Sequence, residues 1–198
     1  MAHAHVPALT YSAGVAFLSL LVGPPGSGKR TVGRHLSRLT GAPLLDNHFT
    51  NDPVFQAFDL DGMRPVPPEA WVFASRMRAV LREAVGAAPR ELSHIFTLYL
   101  TNQPGEVESL ERFRTLAAAR GAVFVPVWLS CDTDELARRM LLPERAERLK
   151  LRDPEGLRTL LRNAGTLPPP SDAILIDTAA LAPADAALLI ASHAGALF

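Results

Sequence analysis

The chain has 198 residues, of which 48% are hydrophobic and 20% are charged. This length and composition are typical of a folded protein and exclude a disordered or collagen-like chain, so we expect residues 1–198 to form a single domain. The 20 acidic residues balance the 20 basic ones, which gives no electrostatic support to binding of nucleic acid or of an anionic membrane. The one cysteine, Cys131, excludes an intramolecular disulfide and favours a reducing compartment, so a cytoplasmic protein is expected.

The first half of the chain begins with strand-like and helix-like segments. Residues 1–12 lack periodicity and are expected to form an N-terminal arm. The apolar run VAFLSLLV (15–22) is typical of a strand covered on both faces, and it is shorter than a membrane span, which needs about 20 residues. A helical pattern then ends at Gly41, and APLLD (42–46) is a short second strand. Residues 47–66 have no regular pattern and predict an irregular segment that contributes to a functional surface.

The second half continues the alternation of helix and strand. A long helix is predicted at 67–87, with an apolar stripe formed by Trp71, Met77, Val80, Leu81 and Val85. The other predicted strands are 94–100, 122–130 and 173–178, and the other predicted helices are 105–121, 133–141, 156–164 and 182–198. This alternation predicts an α/β fold with a five-stranded parallel sheet, helices on both faces and ligands at the carboxyl ends of the strands.

A glycine-rich loop follows the first strand and opens the first helix. Gly23, Gly28 and Lys29 satisfy the pattern G-x-x-x-x-G-K. In such a loop, backbone N–H groups surround phosphate oxygens, the helix N-terminus adds its positive dipole end, and the lysine contacts the terminal phosphates. The pattern predicts nucleotide binding, with a purely structural turn as the alternative. The predicted loop comprises Gly23, Pro24, Pro25, Gly26, Ser27, Gly28, Lys29, Arg30 and Thr31.

The stretch GPPGSGKRTVGRHLSRLTGAPLLDNH resembles the small P-loop kinases of the shikimate, gluconate and nucleoside-monophosphate kinase superfamily. The resemblance is specific over residues 15–48 and implies a P-loop NTPase fold, ATP as donor, Mg²⁺ and a small-molecule acceptor. By this resemblance Thr31 matches a threonine that meets the α-phosphate. Arg30 stands where some members have the serine or threonine that binds magnesium, whereas members with GKGT hold their ion through water. The resemblance therefore implies magnesium held near Thr31 and Asp46, through water.

Two residues at the end of the second strand are candidates for the chemistry. Asp46 lies 17 residues after Lys29, and a carboxylate there could orient the water shell of the metal or accept a proton from the acceptor hydroxyl. Alternatively, Asp46 caps the following turn. In shikimate-kinase-like enzymes this position begins an acidic pair, and here DNH places His48 at the second acid. His48 is therefore a candidate acceptor contact, with a structural role as the alternative.

The region 47–90 is the predicted acceptor-binding region. Arg76, and less so Arg78, could bind an anionic acceptor, because a guanidinium suits a carboxylate or a phosphate. A solvated helix face is the alternative. A polar or cationic acceptor would instead use Asp52, Asp59 or Asp61, and a nucleoside would require aromatic stacking. The candidates for stacking are Phe49, Phe55, Phe58 and Trp71, for which core packing is the alternative.

The region 139–156 resembles a lid. It contains Arg139, Arg145, Arg148 and Lys150 between prolines, and cations in a closing segment assist phosphoryl transfer. A solvated, charged surface is the alternative. The resemblance implies that Arg139 stacks on adenine and that Arg145 reaches the phosphates. It also implies that Asp177 and Thr178, at the end of the fifth strand, lie near the adenine ring, although a helix cap would equally explain Thr178.

These features predict a kinase for a small molecule, in which Lys29, Asp46 and Arg145 carry the chemistry. Two alternatives stay open. One is a nucleotide-binding protein that acts as an ATPase switch or sequesters a ligand, as a resistance factor would, without phosphoryl transfer. The other is a nucleoside or nucleotide kinase. The sequence leaves open the acceptor and the oligomeric state.

Overall fold

The computed structural model describes residues 15–145 and 149–196, so the predicted arm at 1–12 and Arg148 lie outside the described residues. Five parallel strands form one sheet in the order β2-β3-β1-β4-β5. Their bounds are β1 Phe17–Val22, β2 Leu44–Leu45, β3 His94–Leu98, β4 Val123–Ser130 and β5 Ile174–Asp177. The central strand β1 is buried over its whole length, which agrees with its continuous apolar run. The prediction of a five-stranded parallel sheet is confirmed.

Helices cover both faces of this sheet. Within the described residues they are α1 Lys29–Thr40, α2 His48–Ala57, α3 Pro68–Ala87, α4 Glu106–Arg120, α5 Thr133–Met140, α6 Pro154–Ala164 and α7 Pro183–His193, with a 3₁₀ turn at Pro143–Arg145. On one face Leu36 of α1 and Ile190 of α7 pack against Leu21. On the other face Val85 of α3 and Phe113 of α4 join the core around β1 and β3. None of the described helices is long and apolar enough to cross a membrane.

The segment 47–66 is less irregular than its pattern suggests, because it contains α2. Pro53 lies inside this helix, and the buried positions mix the polar Thr50 and Asn51 with Val54 and Phe55. A proline and a partly polar buried face conceal the helical period. The prediction of an irregular segment is therefore wrong over His48–Ala57.

The predicted apolar stripe of α3 is confirmed at Leu81 and Val85, which pack in the core, and is wrong at its other three positions. The buried residues of α3 are Ala70, Ala74 and Val85, whereas Trp71, Met77 and Val80 are exposed. Small alanines let α3 pack closely against α2, with Ala70 and Ala74 in one cluster with Phe55. Burial on this helix follows close packing rather than side-chain size.

Candidate functional site

The glycine-rich loop connects β1 to α1 at the carboxyl edge of the sheet. Gly26 and Gly28 have φ angles of 88° and 81°, in the left-handed region that favours glycine. At Gly23 a Cβ atom would lie 2.5 Å from the carbonyl oxygen of Leu129. The glycines are therefore required by the backbone, and the loop lies at the N-terminus of α1, where anions are stabilised.

Lys29 folds back over this loop. Its Nζ donates hydrogen bonds to the carbonyl oxygens of Gly23 at 2.7 Å and Pro24 at 2.8 Å. The pKa of Lys29 is lowered from 10.5 to about 7, mainly by desolvation; Asp46 opposes the shift, and the positive charges of Arg145 and Lys150 contribute to it. A phosphate group bound here would favour the protonated amine, because an adjacent anion stabilises the charged form.

Arg30, the unusual residue of the motif, pairs with Asp46. Its Nε lies 3.1 Å from Oδ2 of Asp46, whose side chain is 4% exposed. The other carboxylate oxygen, Oδ1, accepts a hydrogen bond from Oγ1 of Thr97 at 2.9 Å. Oδ2 of Asp46 is close enough to Nε of Arg30 for an ion pair, but the geometry of the contact is not that of a hydrogen bond. Asp46 is thus held beside the loop by a guanidinium, a pairing that the sequence did not predict.

The first turns of α2 hold a histidine and an aspartate together. Nδ1 of His48 lies 2.6 Å from Oδ1 of Asp52, one helical turn later. His48 also lines the cavity described below, and its backbone N–H lies 3.5 Å from Oδ1 of Asp46. The spacing of four residues between His48 and Asp52 is visible in the sequence. It brings the two side chains together only in a helix, and that helix was not predicted.

A cavity of about 1320 Å³ lies between the glycine-rich loop, α2, α3, the start of α4 and the region 139–156. Ten cationic side chains line it: Lys29, Arg30, Arg64, Arg78, Arg82, Arg112, Arg138, Arg139, Arg145 and Lys150. Five carboxylates share the lining: Asp46, Glu106, Glu135, Asp153 and Glu155. The excess of positive charge suits an anionic ligand.

The structure favours Arg78 over Arg76 as an acceptor contact. Arg76 is exposed and lies outside the cavity lining. Arg78 lines the cavity, and its Nη1 donates a hydrogen bond to Oδ1 of Asn51 at 3.0 Å. Burial lowers the pKa of Arg78, with a further contribution from Arg82. The preference for Arg76 is corrected accordingly.

Arg139 connects the glycine-rich loop to the end of β5. Its Nη1 donates to the carbonyl oxygen of Gly26 at 3.2 Å and to Oγ1 of Thr178 at 3.1 Å, and its Nη2 donates to the carbonyl oxygen of Thr178 at 3.0 Å. Glu135 also pairs with Arg139, at 2.8 Å. Asp177 is exposed, caps Ala179 and lies outside the cavity lining. Arg139 and Thr178 are thus brought together at the loop, and Asp177 is not.

The described parts of the region 139–156, residues 139–145 and 149–156, line the cavity and touch the connection between α2 and α3. Arg145 donates two hydrogen bonds to the carbonyl oxygen of Leu151, at 2.9 and 2.7 Å. The backbone N–H of Arg152 donates to the carbonyl oxygen of Gly62 at 3.1 Å, and Leu149 packs against the cluster that contains Phe55. These contacts place Arg145 and Lys150 in the cavity lining.

The remaining candidates are divided between core and surface. Phe55 and Trp71 line the cavity and make an edge-to-face contact, with centroids 5.3 Å apart. Phe49 and Phe58 are not among the lining residues, nor are Asp59 and Asp61. Within the described residues no three His, Cys, Asp or Glu side chains are grouped closely enough to hold a metal ion.

Comparison with known proteins adds to this geometry. A family model described as an AAA domain matches residues 20–159. The shikimate kinase of Shewanella frigidimarina is 31% identical over 134 residues, which are 68% of this chain and 70% of that protein. A solved structure from Chloroflexus aurantiacus has a TM-score of 0.67 at 18% identity and covers 91% of this chain and 99% of that one. The solved structure of a gluconokinase from Sinorhizobium meliloti has a TM-score of 0.60 at 16% identity, and the match covers 91% of this chain and 95% of that one.

Proposed function

Because the chain belongs to the small P-loop kinase superfamily, we propose that it transfers the γ-phosphoryl group of ATP to a small-molecule acceptor. The observation that carries this proposal is the cavity itself. The glycine-rich loop opens into a large, cationic space that is also lined by described residues of the region 139–156, such as Arg139, Arg145 and Lys150. A donor site beside a separate acceptor space is what phosphoryl transfer requires.

The donor nucleotide would lie along the loop. The loop N–H groups and Lys29 would bind the β- and γ-phosphates, and Arg145 would add positive charge from the lid, where charge develops in the transition state. Arg139 and Thr178, which touch each other and the loop, would border the adenine. Asp177 faces solvent and would contribute only through its backbone.

Magnesium would be held mainly by the nucleotide. At position 30 a guanidinium replaces the hydroxyl that coordinates magnesium in some relatives, and it already pairs with Asp46. These residues do not fit direct coordination of the ion by the chain. They fit an ion bound by phosphate oxygens, with Thr31 and Asp46 reaching it only through water. When bound, the ion would neutralise charge on the phosphates.

The acceptor would lie between α2, α3 and β3. Asp46 and His48 lie where the loop meets this space, and they would orient the acceptor hydroxyl toward the donor. Arg78 lies further along the same cavity and would bind an anionic group of the acceptor. The shikimate kinase relatives support an acceptor of this kind, because shikimate is a hydroxylated carboxylic acid. We therefore propose a hydroxy acid as the acceptor class.

A second candidate is an ATP-binding protein that sequesters a ligand without phosphoryl transfer. The observation that favours it is the Arg30–Asp46 ion pair, because a carboxylate that is already engaged by a guanidinium is less available to an acceptor hydroxyl. The two functions share a donor site and differ in whether ATP is consumed.

The two candidates are separated by an assay of ADP release across a panel of hydroxy acids, sugars and nucleosides. We expect release with a hydroxy acid, an increase in KM of at least about tenfold for Arg78→Ala, and no change for Arg76→Ala. Release with none of the panel, while ATP still binds, would favour the sequestering protein. Equal effects of the two arginine variants would contradict the acceptor site.

A further inference from the structure

Three arginines meet in the crevice between α3 and α4, on the side of the cavity away from the glycine-rich loop. Arg78 and Arg82 lie one helical turn apart on α3, and Arg112 comes from α4. All three line the cavity. Only Arg78 has a role in the proposed donor and acceptor sites, so the other two require a separate explanation.

Little negative charge offsets these arginines. None of the three forms an ion pair with the carboxylates of the described ranges. Glu106 lines the same space, and its charge opposes the lowering of the Arg78 pKa without forming an ion pair with that arginine. Burial lowers the pKa of Arg82, and the positive charge of Arg112 lowers it further, with an opposing contribution from Glu83. Like charges that lie close together and are only partly compensated are unfavourable, and an anion bound among them would relieve their repulsion.

Arg82 is held in place by an aromatic surface. Its guanidinium carbon lies 5.5 Å from the ring centroid of Phe113. Phe113 is itself buried, and its ring meets that of Phe96 edge to face, with centroids 5.0 Å apart. A cation over a fixed ring loses little freedom when a ligand binds. The arginine is therefore pre-organised for recognition.

We propose that the acceptor carries two anionic groups, one bound by Arg78 and the second by Arg82 together with Arg112. The Cβ atoms of residues four apart on a helix face are about 6 Å apart, and the long arginine side chains can bring their guanidinium groups closer together, so both anionic groups can belong to one small molecule. A small dicarboxylate or a phosphorylated hydroxy acid has two such groups. The inference rests on the proposed function, because it extends the acceptor site at Arg78.

The test compares succinate with butyrate, which have four carbons each and differ by one carboxylate. The full chain is saturated with a non-hydrolysable ATP analogue, so that the glycine-rich loop is filled, and thermal unfolding is followed as each acid is added. We expect succinate to raise Tm at concentrations at least about tenfold lower than butyrate. In the Arg82→Gln/Arg112→Gln double variant the two acids should differ by less than about twofold.

Two further variants make the test specific. Arg112→Gln alone changes an exposed residue, so it should fold normally and still lose most of the succinate advantage. Arg38→Gln removes an exposed charge outside the cavity, and this variant should retain the advantage of succinate over butyrate. Equal effects of the two acids, no shift with succinate, or an advantage retained by the double variant would overturn the inference. No phosphoryl transfer is needed for this measurement, so its failure is distinct from a failure to find kinase activity.

Discussion

Arg30 and Asp46 form an ion pair across the junction of α1 and β2, with Nε 3.1 Å from Oδ2. In relatives that carry a serine or threonine at position 30, that residue would face the metal. Here the same position supplies a positive charge to a buried carboxylate. The pair therefore joins the donor loop to the residue that borders the acceptor space.

Loss of the Arg30 guanidinium should destabilise the protein. In Arg30→Gln the carboxylate of Asp46, which is 4% exposed, would lose its charge partner. We expect the free energy of unfolding to fall by about 1–3 kcal/mol, as measured by urea denaturation. Arg34→Gln is the matched control, because Arg34 is exposed on the same helix. Adding Asp46→Asn to Arg30→Gln should recover part of the loss, and equal stabilities of the two single variants would disprove the pairing.

Lys29→Met should separate nucleotide binding from stability. The amine is desolvated and its pKa is lowered to about 7, so the folded protein carries a cost that the apolar side chain removes. We expect ATP affinity in calorimetry to fall by at least about a hundredfold while Tm stays the same or rises. Lys29→Arg tests whether charge alone suffices. A variant that still binds ATP normally would refute the assignment of the loop.

Gly62→Ala should open the region 139–156. A Cβ atom at Gly62 would lie 2.2 Å from the carbonyl oxygen of Lys150, and φ is +80°. Gly41→Ala is a close control, because φ there is +74° but nothing lies within 4 Å. The positive φ angle alone should lower the free energy of unfolding of both variants by a similar amount, about 1 kcal/mol. Only Gly62→Ala should speed tryptic cleavage near Arg145 and Lys150, and equal cleavage rates would mean that the contact does not hold the lid.

His94 should make the protein less stable in acid. It is buried at the start of β3, and burial lowers its pKa, with a further contribution from Arg120. The unfolded chain therefore takes up the proton first as pH falls, and the stability difference appears below a pH of about 6.5. Between pH 7.5 and 5.5 the free energy of unfolding should fall by up to about 1.4 kcal/mol more in the wild type than in His94→Gln. His193→Gln, an exposed control, should behave as the wild type, and identical pH profiles of all three proteins would contradict this origin.

The sheet and the donor loop could be predicted because their signals are local. The apolar run of β1 and the glycines at positions 23 and 28 depend only on neighbouring residues and on backbone geometry. The Arg30–Asp46 pair could not be predicted in this way. It forms only because β3 and its Thr97 lie between β1 and β2 in the sheet, which the pattern of apolar residues does not specify.

The choice between Arg76 and Arg78 depends on which face of α3 meets the cavity. The predicted apolar stripe did not show that face, because three of its large residues, Trp71, Met77 and Val80, are exposed. The buried face contains Ala70, Ala74 and Val85, and Arg78 is in register with the alanines. Because the helix packs through small residues, hydrophobicity did not indicate which arginine faces the cavity. The packing partner α2, which the sequence did not reveal, sets that orientation.

The central claim is that ATP and a hydroxy acid meet in this cavity and exchange a phosphoryl group. Phosphorus NMR of the purified protein with ATP, magnesium and a panel of hydroxy acids tests it most directly. We predict loss of the γ-phosphate signal and growth of a phosphomonoester signal in equal amounts with at least one acid, and neither change for Lys29→Met. Formation of inorganic phosphate alone, or an unchanged ATP spectrum with every acid, would contradict the claim.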